Sequence, residues 1–104
     1  MNNIINDIDE YYNIIKNIKS EMYNTVNHIT DLCKSGMLTH DEANLQKAVT
    51  VLTYSKALKK ELKYIYLYHY RLIPDIEDRI AAVNETIKKC NEFIKNKMKE
   101  NDND

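Results

Sequence analysis

The stretch "KSGMLTHDE", residues 34–42, decides the fold because it combines a helix stop with a helix start. Gly36 can take the left-handed backbone conformation that closes a helix, and Met37 follows as the usual apolar contact. Thr39 stands three residues before Glu42, which is the spacing of the capping box that opens a helix. The sequence therefore predicts two helices joined by a tight turn.

The segment before this turn has helical periodicity. Its apolar residues recur every three or four positions from Ile4 to Cys33, which is the spacing of one helix face. A second apolar stripe of Ile5, Tyr12 and Ile14 widens that face, so this helix is expected to meet two neighbours. We predict a first helix at about residues 4–34.

The segment after the turn contains "KYIYLYHYR", residues 63–71, in which every second residue is tyrosine. Such alternation is typical of a β-strand. The preceding residues are good helix formers without glycine or proline, and no other stretch alternates to pair with a strand. We therefore predict a second helix at about residues 40–72, with tyrosine rings buried along both edges of its apolar face. That face contains Leu58, Leu62, Ile65, His69 and Leu72.

Pro74 ends the second helix, because proline disfavours helical geometry in the residue before it and fits the first turn of the next helix. A sharp turn is predicted here, with a kinked continuous helix as the alternative. A third helix is predicted at about 75–99, and residues 100–104 are predicted to form a frayed polar tail. The apolar seam of this third helix follows a heptad pattern and consists of Ile76, Ile80, Val83, Ile87, Cys90, Ile94 and Met98.

Composition supports this architecture and indicates the cellular compartment. One glycine and one proline in 104 residues leave few turns, so residues 1–99 are predicted to form a single all-α domain, an elongated antiparallel three-helix bundle with coiled-coil-like packing. No apolar run is long enough to cross a bilayer, and the N-terminus lacks the pattern of a signal peptide. We expect a cytoplasmic protein, or one in a host cytoplasm. Abundant asparagine, isoleucine, tyrosine and lysine are typical of AT-rich genomes, including those of phages and viruses.

Catalytic and metal-binding patterns are not found in the sequence. His28, His40 and His69 lack the spacing that places two metal ligands on one helix face. Cys33 and Cys90 have no partner spacing typical of zinc and are predicted to be buried free thiols. We predict no enzymatic activity, no catalytic or metal-binding residue, no cofactor, no small-molecule substrate and no membrane partner.

The best candidate interaction surface lies on the second helix. Residues 39–74 have six basic and three acidic side chains, whereas the segments on either side are net acidic. The lysines at positions 56, 59, 60 and 63 follow i, i+3, i+4, i+7 spacing and form one basic ridge. Leu67 lies on the same ridge, and two tyrosines border it. The candidate surface consists of Lys56, Lys59, Lys60, Lys63, Tyr66, Leu67 and Tyr70.

Three interpretations of this ridge remain open. It can be ordinary solvated surface, a protein-binding face, or a nucleic-acid-binding face in which lysines contact phosphates and tyrosines stack on bases. Overall charge of −1 argues against nucleic acid. A helical chain of this size with a Tyr-rich stretch running into Pro74 is similar to bacteriocin immunity proteins, and that resemblance implies a protein partner.

We therefore expect a small non-enzymatic protein that binds another protein as an adaptor, inhibitor or immunity-type protein. A nucleic-acid-binding protein that uses the Lys/Tyr ridge is the first alternative. The second is a self-assembling structural subunit, because the wide apolar face of the first helix and the heptad seam of the third are also typical of homo-oligomers.

Overall fold

Three α-helices account for most of the chain. The computed structural model describes residues 3–69 and 73–102. Helix α1 spans Asn3–Lys34, α2 spans His40–His69 and α3 spans Ile76–Asp102. The predicted all-α three-helix bundle is confirmed, and "KYIYLYH" lies within α2. Helix α3 continues three residues past its predicted end, and the predicted end of the second helix at Leu72 lies outside the described residues.

The turn between α1 and α2 is built by local hydrogen bonds. Gly36 has a φ of 83°, and the N–H groups of Gly36 and Met37 donate to the carbonyls of Cys33 (3.1 Å) and Leu32 (3.0 Å). This pair of bonds defines the Schellman motif. The predicted apolar contact of Met37 is wrong, because its side chain is 74% exposed. The end of α1 is therefore closed by these backbone bonds and by the Ser35 hydroxyl, which donates to the Leu32 carbonyl at 2.9 Å.

The capping box at the start of α2 is confirmed in both directions. The Glu42 N–H donates to Thr39 Oγ1, and the Thr39 N–H donates to Glu42 Oε1, each at 3.1 Å. Asp41 and Glu42 also place negative charge at the positive end of the helix dipole.

Thr39→Ala is expected to lower the free energy of unfolding by about 1 kcal/mol, because it leaves an N–H at the start of α2 without its acceptor. Thr53→Ala is the matched control, since the Thr53 hydroxyl donates to the Val49 carbonyl within the helix and caps nothing. Urea unfolding of both variants measures the difference. An equal loss in the two variants would contradict a capping role for Thr39.

The Pro74 segment reverses the chain. The Ile76 N–H donates to the Ile73 carbonyl at 3.2 Å, and α3 then runs back along α2. Near its far end, Lys97 Nζ lies 3.5 Å from Asp41 Oδ1 at the start of α2. Helices α2 and α3 are therefore antiparallel, and the sharp turn is the correct alternative at Pro74.

The core is concentrated at the Pro74 end of the bundle. Ile15 of α1, Leu62 and Ile65 of α2, and Ile73 and Ile76 form one buried cluster. Tyr11 also packs against this cluster, and its ring centroid lies 5.3 Å from that of His69, so α1 and α2 are antiparallel as well. The rest of the α3 seam is less buried than predicted. Its residues from Ile80 to Ile94 are half-buried and Met98 is 60% exposed.

The bundle is flat as well as long. Its Cα extents are 60 × 27 × 15 Å and its radius of gyration is 16.9 Å, compared with about 13 Å for a compact domain of this length. Both α1 and α3 pack extensively on α2 and little on each other. Two faces of α2 therefore remain uncovered, one pointing away from both neighbours and one lying between them.

Candidate protein-binding surface

The outward face of α2 carries most of the predicted basic ridge. Lys56, Lys60 and Lys63 are exposed, and Leu67 is 69% exposed. Lys59 is half-buried, so it contributes less to this face than its spacing predicts.

A shallow hollow on this face is lined by residues that the sequence pattern did not place in one group. Lys60, Glu61, Lys63, Tyr64 and Leu67 line it. Neither lysine forms an ion pair with another described residue. The hollow therefore combines an exposed apolar surface with two unpaired lysines and one glutamate, which gives it a net charge of +1.

Tyrosines that the sequence pattern assigned to the border of the core belong to this surface instead. Tyr64 is 47% exposed and Tyr68 is 68% exposed, so the expectation that their rings are buried is wrong. The two ring centroids lie 4.9 Å apart. Tyr11 of α1 supports the inner ring, with its centroid 5.9 Å from that of Tyr64. We call the set of Lys60, Lys63, Tyr64, Leu67 and Tyr68 the Tyr–Leu patch.

A sequence signal for the Tyr–Leu patch does exist. Tyr64, Leu67 and Tyr68 have i, i+3, i+4 spacing, which places three side chains side by side on a helix. This spacing was not identified from the sequence, because the alternating tyrosines were assigned to the two edges of the apolar face. Nine large apolar side chains are exposed among the described residues, and three of them, Tyr64, Leu67 and Tyr68, belong to the patch. This density distinguishes the patch from scattered surface residues.

Three of the predicted site residues that the structure describes lie outside the patch, namely Lys56, Lys59 and Tyr66. Tyr66 lines a different hollow, together with Pro74, Asp75, Glu77 and Asp78. Its neighbours in that hollow are therefore mainly acidic and come from the start of α3, and its grouping with the lysines stays a prediction. Tyr70 lies outside the described residues.

Titratable groups with shifted pKa values lie on α3, away from the patch. Partial burial raises the pKa of the Cys90 thiol, which favours the protonated form at neutral pH. The hydrogen bond with Glu100 and the nearby charge of Asp41 raise the pKa of Lys97, so this side chain stays cationic. Lys97 therefore links α3 to the start of α2.

The cysteines and histidines do not converge on a site. Cys33 and Cys90 are free and half-buried, so they are less buried than predicted. Cys33 Sγ lies 3.5 Å from His40 Nδ1 at the α1–α2 turn. Among residues 3–69 and 73–102, no three His, Cys, Asp or Glu side chains are grouped to hold a metal ion.

Comparisons with known proteins identify no relative of this chain, so a function can be proposed only from its fold and its surface. The chain matches no protein-family model, no curated protein and no solved structure. None of the described helices has an apolar segment of the length that spans a bilayer. The class that the structure defines is an all-α three-helix bundle with an exposed Tyr–Leu patch on its central helix.

Proposed function

We propose that this chain is a non-enzymatic helical protein that binds another protein through the Tyr–Leu patch. The observation that carries the proposal is the clustering of Tyr64, Leu67 and Tyr68 on an open face of α2. Tyrosine is enriched at the centre of protein interfaces, and adjoining exposed apolar side chains indicate an interaction site more strongly than scattered ones do. We therefore propose an adaptor, an inhibitor or an immunity-type protein, each of which acts by binding another protein.

The charges beside the patch indicate the chemistry of the partner. Lys60 and Lys63 border the hollow on the most basic helix of the chain. A partner with carboxylates around an apolar centre would complement both features. In a two-fold contact between copies, the hollow lined by Lys60, Glu61 and Lys63 would meet a second hollow with the same net positive charge. Like charges oppose that arrangement, so a different protein is favoured over a second copy.

Leu67→Asp is expected to weaken partner binding by about tenfold or more, because a carboxylate would replace the exposed apolar centre of the patch. The tagged chain would first be used to capture the partner from its source lysate, with nuclease present. Affinity would then be measured by titration calorimetry with the purified partner. Val49→Asp is the matched control, since Val49 is 45% exposed on the same helix but 18 residues away from Leu67.

Three outcomes would contradict the proposal. Equal losses with Val49→Asp and Leu67→Asp would show that the effect does not depend on the patch. Loss of all captured material on nuclease treatment, with affinity falling steeply with salt, would identify the ridge as a nucleic-acid site. Capture of the chain alone would favour the self-assembling subunit.

A further inference from the structure

The second open face of α2 forms a groove between α1 and α3, which we call the α1–α3 groove. Its floor contains Val51, Ser55, Leu58 and Leu62. Leu58 and Leu67 are nine residues apart, which is two and a half helical turns at about 3.6 residues per turn. The groove therefore lies on the side of α2 opposite the Tyr–Leu patch.

Two adjoining hollows of about 160 and 240 Å³ make up the groove. A cavity of about 150 Å³ with an apolar lining accepts a ring the size of benzene, so each hollow has room for a large apolar side chain. The hollows share four lining residues, including Leu58 and Ala82. Their centres are therefore separated by on the order of one helical turn along α2.

The charged residues that line the groove are both cationic. Lys19 stands on the α1 wall and Arg79 on the α3 wall. Arg79 Nε donates to Asp75 Oδ1 at 3.1 Å, whereas Lys19 forms no ion pair with any described residue. An occupant with a carboxylate facing α1 would supply the missing counter-charge.

The exposed area of the chain is consistent with a further partner. Its accessible surface is 7652 Å² at a mass of 12.3 kDa, and a compact monomer of this mass exposes about 6,100 Å². The excess is larger than the area of about 800 Å² that one partner contributes to a standard interface.

We propose that the α1–α3 groove binds an amphipathic helix of a partner protein, with apolar residues at positions i and i+4 and acidic residues beside them. The two hollows receive the apolar side chains and Lys19 pairs with a carboxylate, so the bound helix becomes the fourth helix of the bundle. A second copy docked groove to groove would bring Lys19 and Arg79 against cations of the same type. The proposal goes beyond the proposed function, because it concerns the opposite face of α2.

Binding of a synthetic probe tests the proposal on the full chain. The probe is a fluorescein-labelled peptide of about five helical turns, with leucines on one face and glutamates beside them. A second peptide has lysines in place of the glutamates. Fluorescence anisotropy is expected to show binding of the glutamate peptide that is tighter by about tenfold or more. Equal affinity for the two peptides would overturn the charge assignment.

The neighbouring alanines of α3 provide a matched pair of variants. Both Ala81 and Ala82 are exposed, but only Ala82 lines the hollows. Ala82→Phe is expected to weaken binding of the glutamate peptide by about tenfold or more by filling the groove, and Ala81→Phe to leave it unchanged. Equal effects of the two substitutions would overturn the proposal.

Two further measurements distinguish binding in the groove from binding at the Tyr–Leu patch and from dimer formation. Lys19→Glu is expected to reverse the preference between the peptides, and Leu67→Asp to leave peptide binding unchanged because Leu67 lies on the opposite face. Failure of Lys19→Glu to change the preference would overturn the proposal. Sedimentation of the free chain tests whether a second copy of the chain, instead of a partner helix, occupies the groove. A dimer that Ala82→Phe abolishes would assign the groove to a second copy instead.

Discussion

Replacement of Leu62 by alanine is expected to lower the free energy of unfolding by about 2–4 kcal/mol. Leu62 is 2% exposed and belongs to the buried cluster where all three helices meet. Its truncation removes apolar contacts and leaves a cavity that helices α1 and α3 cannot fill without moving. The loss is large for a chain with so few fully buried side chains among its described residues.

Leu67→Ala is the matched control for Leu62→Ala. It makes the same chemical change on the same helix at a residue that is 69% exposed, so its effect is expected to stay within about 0.5 kcal/mol. Urea unfolding followed by circular dichroism measures both. Ile87→Ala is expected to fall between them, because Ile87 is half-buried. Similar midpoints for Leu62→Ala and Leu67→Ala would mean that α2 is rotated relative to the described packing.

Gly36→Ala is expected to destabilise the chain by about 1–2 kcal/mol, because an L-residue resists the left-handed backbone conformation. A Cβ added at Gly36 would meet no heavy atom within 4 Å apart from those of its own residue and its two chain neighbours, so crowding by the rest of the bundle contributes nothing to this loss. The φ of 83° is its whole cause. Thermal unfolding measures the change, at about 4–8 °C per kcal/mol for a domain of this size.

D-Alanine at position 36 separates the backbone effect from the added methyl group. A D-residue favours positive φ, so this variant is expected to be at least as stable as the natural chain. The chain can be assembled by chemical ligation, since Cys33 provides a junction three residues before Gly36. Equal destabilisation by the two alanine enantiomers would contradict the assigned cause.

The two open faces of α2 differ in the partner that they favour. The Tyr–Leu patch offers one shallow hollow with two unpaired lysines, whereas the α1–α3 groove offers two apolar hollows beside Lys19. A chain that uses both would hold two proteins on opposite sides of one helix. Leu67→Asp and Ala82→Phe each change one face, so the two functions can be tested separately.

Local chemistry explains why some features could be predicted from the sequence. The capping box of Thr39 and Glu42, the positive φ of Gly36 and the reversal at Pro74 each depend on neighbours a few residues apart. Hydrophobic periodicity likewise identified the helices and placed Leu62 and Ile65 on the buried face of α2. Such interactions do not depend on where the other helices lie, which is why the sequence was sufficient.

The candidate surface was predicted only in part, for a physical reason. Spacing along one helix defines the angle between its side chains around the helix axis. The neighbouring helices determine which sides of the helix are buried. Tyr66 and Tyr68 are equivalent in the alternating pattern, yet Tyr66 lies beside the acidic start of α3 and Tyr68 lies in the open. Half-burial of Lys59 is a second effect that spacing could not predict.

The sequence by itself determined three helices, the chemistry of their ends and the apolar face of each. Only the tertiary structure decided that α1 and α3 both pack on α2 and little on each other. That choice depends on packing between side chains distant in sequence, which helical periodicity does not encode. It leaves Leu67 uncovered on one side of α2 and opens the groove above Leu58 on the other.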